Sequence, residues 1–178
     1  MPSMRGIVIT AIVALAGAAR SDAQALPSSP GEAAFGTISE VVRLLKADSS
    51  TDWSKVDVEA LRQHLIDMDD VMTHAAVVTR DIPGGAEFRV TGTGRTAAAI
   101  KRMSLDHFRV LDGQEGYRAS ATAVRDGALV TVTAAAPADA KTVAQIRGLG
   151  FAGLLAEANH HPMHHLALAR GEAMMHSP

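Results

Sequence analysis

Hydrophobic and polar positions along the chain change period several times, and each change marks an element. In residues 33–47, Phe35, Ile38, Val41, Val42, Leu44 and Leu45 recur at helical spacing, which predicts a short amphipathic helix closed by the polar stretch 48–52. Ser54 is placed as the next N-cap, with Asp57 completing a capping box and Trp53 and Val58 forming a hydrophobic staple. That helix runs to about residue 73, with Val58, Leu61, Leu65, Met68 and Met72 along one stripe and His64 at its edge.

Beyond Thr73 the period turns to alternation. Residues 76–80 and 86–91 read as two strands joined by a turn over 81–85, with Phe88 and Val90 inward and Glu87 and Arg89 outward. A helix over 95–110 follows and is broken by Asp112, Gly113 and Gly116. The pattern then recurs. Strands over 117–124 and 128–133 precede a last long helix, about 138–158, loosened by Gly148, Gly150 and Gly153. Residues 85–91 align with 127–133, which lays Val130 and Val132 over Phe88 and Val90 and suggests a duplicated strand-strand-helix unit. The fold class expected is therefore α+β. Its two units form a four-stranded, mainly antiparallel sheet with helices on one face, a permuted ferredoxin-like arrangement preceded by one or two helices.

The N-terminal residues fall outside this pattern. A short basic start, an uncharged apolar run over 6–19 and the small-x-small triplet Ala23-Gln24-Ala25 have the form of an export signal cleaved near Ala25. The run is too short for a comfortable membrane span, so no stable membrane insertion is expected. Residues 26–32 then read as a flexible leader, 33–171 as a single domain and 172–178 as a tail, with the mature protein periplasmic or secreted.

Composition narrows the chemistry. Net charge is −2 with no block of like charge, so the basic stripe that nucleic-acid binding requires is missing. The chain has no cysteine, which removes disulfides and thiolate ligands and leaves imidazole and thioether as its soft metal-binding groups.

Those groups are concentrated. Four of the eight histidines, His160, His161, His164 and His165, fall within residues 160–165. In a helix, His160/His164 and His161/His165 each place two imidazoles on one face, the spacing by which a helix supplies two metal ligands. Pro162 fits the first turn of a new short helix over 162–169, with His161 near its cap. His64 with Met68, and Met103 with His107, add two more pairs one helical turn apart. The ligand pool is thus His64, Met68, Met103, His107, His161, His164 and His165, and in the layered fold these segments can meet. The plain alternative for the cluster is an exposed histidine-rich turn, for each methionine core filling, and for His64 and His107 an ordinary half-buried side chain. His74 reads as a helix C-terminal residue suited to the dipole, and His176 as part of the tail.

Other motifs carry less. Gly92-Thr93-Gly94 resembles a dinucleotide loop only formally and reads as a strand-to-helix turn. Asp67, Asp69 and Asp70 read as a solvated helix face, and no serine stands in a nucleophile-elbow context. The expectation is an exported transition-metal-binding protein that handles copper, favoured over zinc, through His and Met ligands, with a metal donor or acceptor protein as partner. Haem is disfavoured for want of an attachment motif and of aromatic residues. The alternatives are a hydrolytic or oxidative His-ligated metalloenzyme, with Glu157 or Asp106 as base, and a non-catalytic interaction domain with incidental histidines. The reading leans away from an enzyme.

Overall fold

A computed structural model of the chain describes residues 33–136, 138–157 and 161–172. The proposed export signal and leader, His160 with its one-turn partnership to His164, and the tail beyond residue 172 with His176 lie outside these residues. The elements run α1 (Ala33–Ala47), α2 (Val58–His74), β1 (Ala76–Ile82), β2 (Gly85–Thr91), α3 (Gly94–Leu111), β3 (Tyr117–Val124), β4 (Gly127–Ala134), α4 (Ala140–Ala156) and α5 (His161–Ala169).

The four strands form one antiparallel sheet in the order β1-β2-β4-β3. Because β2 and β3 both run antiparallel to β4, they are parallel to each other, and β2–α3–β3 is a split βαβ unit with β4 inserted. Circular permutation of a ferredoxin-like βαββαβ chain produces this strand order, so the expected α+β architecture is the one observed.

The repeat read from sequence has a geometric counterpart. In the β2–β4 pairing Phe88 faces Val130, Gly85 faces Thr133 and Gly127 faces Thr91, so the two aligned segments pair about a local two-fold axis. Ala86, Phe88 and Val90 of β2 and Ala128, Val130, Val132 and Ala134 of β4 are buried on the helix side. The opposite side carries Arg80 paired to Glu87 and Arg89 paired to Asp126, with Val78 exposed beside them.

α3 covers this sheet through Ala99, Ile100, Met103, Ser104, His107, Phe108 and Leu111, all buried and all at helical spacing. α4 completes the layer through Ile146, Phe151, Leu154 and Leu155. The glycine-loosened helix breaks at Gly150, where φ is +60° and the chain changes direction. α2 lies against α3 and contributes Val71 to the main core. Its N-terminal half joins a second, smaller core of Val41, Leu45, Leu61 and Ala169, shared with α1 and α5.

Three local expectations are corrected. The cap of α2 is Asp57, whose carboxylate accepts from the Ala60 amide at 2.8 Å. Ser54 is taken instead by Asp52, which accepts from both its amide and its hydroxyl in an Asx turn. With the helix starting later, Trp53 makes no staple and is 56 % exposed. Asp67 and Asp70 are not a solvated face. They are half-buried, and ion pairs to Arg102 and Arg95 tie α2 to α3. Only Asp69 of the three is exposed.

Candidate metal centre

Three helices aim histidines at the seam between the two cores. α2 supplies His64, one turn beyond Ala60 and beside the inward-facing Leu61 and Leu65. α3 supplies His107 from its buried stripe, one turn beyond Met103. α5 supplies His161, His164 and His165. This helix begins at His161 with Pro162 in its first turn, where the missing N–H costs no helical hydrogen bond. It ends in a Schellman pattern, with Gly171 donating to the Leu168 carbonyl and Glu172 to that of Ala167. Between those ends, His161 and His165 share one face.

The result is a continuous cluster of five imidazoles. Ring centroids of His64 and His164 lie 4.6 Å apart, of His64 and His165 5.4 Å, and of His161 and His165 6.0 Å. His107 stacks on His161 at 5.6 Å with the rings nearly parallel. Within this group His64, His161 and His165 each offer one ring nitrogen such that all three lie within 4.8 Å of one another. A metal held at about 2.0–2.1 Å by each nitrogen would set tetrahedral donors roughly 3.4 Å apart.

Two backbone carbonyls orient the rings. His107 Nε2 lies 2.8 Å from the Leu154 oxygen, and His161 Nε2 lies 3.2 Å from the Leu155 oxygen. A carbonyl only accepts, so in both rings Nε2 carries the hydrogen, and in a neutral ring Nδ1 is then the nitrogen open to a metal. Both carbonyls belong to the last turn of α4, which has no intrahelical donors for them. These two hydrogen bonds therefore cap α4 and orient two imidazoles, as the outer hydrogen bonds of metal-ligating histidines commonly do.

A cavity of about 400 Å³ opens beside the cluster, lined by His64, His107, His161 and His164 together with Met103 and Asp106. Asp67 and Arg102, paired at 2.6 Å, form part of the same wall. His165 faces away from this cavity, toward α1. There it lines one pocket with Met68 and another with His161 and Pro162.

The seven residues of the ligand pool therefore divide. His64, His161 and His165 form the close group, His107 and His164 flank it, and Met103 and Met68 line the cavities on its two sides. Met103 is buried, whereas Met68 is half-buried against the main core, so both also fill space. Of the two proposed bases, Asp106 lines the cavity and Glu157 does not. Glu157 stands at the C-cap of α4, where its charge acts on Tyr117. His74 ends α2 as expected, within 3.5 Å of Asp70. The Leu154 and Leu155 carbonyls and the Asp67–Arg102 pair had no sequence signal, since each depends on how α4, α2 and α3 pack.

Comparison of the chain with family models, with curated proteins and with solved structures gives no match in any of the three. Among the described residues, no helix is long and apolar enough to cross a membrane.

Proposed function

We propose that this is an exported protein that binds a transition metal through imidazole, with copper favoured over zinc. The observation that carries the reading is the convergence of His64 from α2 with His161 and His165 from α5, their ring nitrogens within 4.8 Å. The Leu155 carbonyl supports it by holding the His161 ring in one tautomer. Imidazole binds both Cu(II) and Zn(II). The thioethers of Met103 and Met68 in the adjoining cavities favour copper, whose reduced form takes soft ligands. Handling of the ion, in storage or in exchange with a donor or acceptor protein, fits a group reached from two sides.

A second reading is a His-ligated metalloenzyme. Asp106 favours it, because it lines the cavity that His64 and His161 also line. In that case His64, His161 and His165 would hold the metal, which would supply Lewis acidity, and the Asp106 carboxylate would serve as the base.

The deciding experiment measures metal in the purified protein by elemental mass spectrometry, beside a His64→Ala/His161→Ala/His165→Ala variant. Near-stoichiometric copper or zinc, lost in the variant, is the expected result. A wild-type protein that retains no metal and gains no stability on adding Cu(II) or Zn(II) sinks the reading. It would leave an α+β domain whose histidines serve packing.

A further inference from the structure

We infer that metal binding clasps the N-terminal half of α5 onto α2 and closes α1 over it, making the histidine group a metal-controlled docking device. The inference rests on the metal reading above and gives it a consequence for the fold.

The two ends of α5 are held very differently. At its C-terminal end the Ala169 carbonyl accepts from the Asp57 amide at 2.8 Å, and Arg170 pairs with Asp48 at 2.8 Å. Gly171, at φ +67°, lets the backbone pass so close to Lys55 that an added Cβ would fall 2.2 Å from the Lys55 oxygen. Ala169 is also the only α5 residue fully sealed in the smaller core, where Leu166 packs partly buried against it.

The first turns have no such apolar anchor. Pro162 and Met163 face outward, Met163 with 74 % exposure, and the inward positions are histidines. Burying imidazole gives far less hydrophobic stabilisation than burying leucine, so this half of α5 docks through polar groups. A metal shared by His64 of α2 and by His161 and His165 of α5 would cross-link the two helices at that weakly anchored end. Ligand binding stabilises the conformation that presents the complete site over any in which the ligands separate.

α1 is part of the same device. It rests on α2 and α5 through Val41 and Leu45, and cavities of about 430 and 520 Å³ lie between it and His165, on either side. Helix α1 thus packs on the smaller core through Val41 and Leu45 and stands over cavities beside His165. Metal at His165 would therefore act on a residue that lines both cavities under α1. The four-stranded sheet, sealed by α3 and α4, contributes no histidine to the close group and is expected to be indifferent to the metal.

The test is hydrogen–deuterium exchange by mass spectrometry on the purified protein, with and without one equivalent of Cu(II) or Zn(II). Bound metal is measured on the same samples. The expected result is at least tenfold slower exchange of the amides in 165–169, slower exchange in α1, and no change beyond twofold in β2 and β4. Stoichiometric metal with unchanged exchange in α5, or with even slowing across the sheet and helices alike, overturns the clasp while leaving the metal site standing. No bound metal overturns both. A His74→Ala variant provides the control, because it removes an exposed imidazole at the end of α2, outside the cluster, and should keep the metal-dependent protection.

Discussion

His107 on α3 and Leu154 on α4 are joined by a 2.8 Å hydrogen bond between the Nε2 ring nitrogen and a backbone carbonyl, across forty-seven positions of chain. His107 is almost completely buried, so this bond satisfies a polar ring and a helix-end carbonyl together. Replacement by alanine should destabilise the fold by about 1–3 kcal/mol in urea unfolding, because it strands the carbonyl and leaves a void. Metal stoichiometry should be unchanged, since His107 flanks the close group rather than belonging to it. Loss of metal from a folded His107→Ala protein would make His107 a ligand and redraw the site.

The close group predicts a graded response to single substitutions. His64→Ala, His161→Ala and His165→Ala should each weaken metal binding by about 100-fold or more, equivalent to roughly 2.7 kcal/mol. His164→Ala should weaken it by less than about tenfold, the lower bound typical of groups that orient ligands. His74→Ala, at the exposed end of α2, should have no effect. Competition titrations against a chelator of known affinity measure all five. Equal losses for His164→Ala and His165→Ala would show that the cluster binds diffusely.

The copper preference turns on thioether. Met103→Leu conserves volume in a buried position and should cost little stability. It should lower Cu(I) affinity by about tenfold while leaving Zn(II) affinity unchanged, because zinc gains little from a thioether. Unchanged affinity for both ions would assign Met103 to packing alone and remove the main argument for copper.

Gly85 and Gly127 stand at matching points of the two hairpins. A Cβ on Gly85 would fall 2.0 Å from the Val132 oxygen, and a Cβ on Gly127 would fall 2.0 Å from the Val90 oxygen. In both cases the obstacle is the backbone of the neighbouring central strand, which cannot yield without breaking sheet pairing. Gly85→Ala and Gly127→Ala should therefore each cost about 2–3 kcal/mol, the upper range for overpacking, and by similar amounts. Gly148→Ala, where a Cβ meets nothing within 4 Å, is the control and should be neutral or slightly stabilising in its helix. Thermal unfolding of the three variants tests the pseudo-symmetry directly.

Tyr117 is the chain's single tyrosine, so its ionisation can be followed by ultraviolet absorbance without interference. Burial raises its pKa above the ordinary value of 10.0, and the negative charges of Glu157 and Glu115 add to the effect. A phenol whose pKa is raised on folding contributes stability that is complete below the unfolded-state value. That stability is lost as pH rises through the folded-state value. The protein should therefore lose stability above about pH 10, where the unfolded chain ionises first. Tyr117→Phe should flatten that dependence. A phenol titrating normally in the folded protein would contradict the packing of β3 against the helices.

Most of the architecture was legible because it depends on period. The stripe that buries Ile100, Met103, His107 and Phe108 of α3 is visible as helical spacing, and the alternation of Phe88 and Val90 with Glu87 and Arg89 already tells the two faces of β2 apart. Local competition was harder to read. Ser54 and Asp57 were both credible caps for α2, and the outcome depended on Asp52 capturing Ser54 in a turn. Likewise Asp67 and Asp70 looked like solvent-facing carboxylates until α3 brought Arg102 and Arg95 against them.

The candidate site divides along the same line. Sequence alone determined that the soft ligands are imidazoles and thioethers, that His161 and His165 are spaced to share a face of a short helix with Pro162 in its first turn, and that His64 and His107 sit at or near apolar stripes. These follow from residue chemistry and from the 3.6-residue turn, which act over a few positions. Tertiary structure alone decided that His64 meets His161 and His165 while Met68 and Met103 stand to either side, and that the end of α4 orients two of the rings. Such relations are set by how helices far apart in the chain pack, where a rotation of one helix by a single residue step swings its side chains through about 100°. Periodicity states which face a residue occupies, but only the packed core states what that face meets.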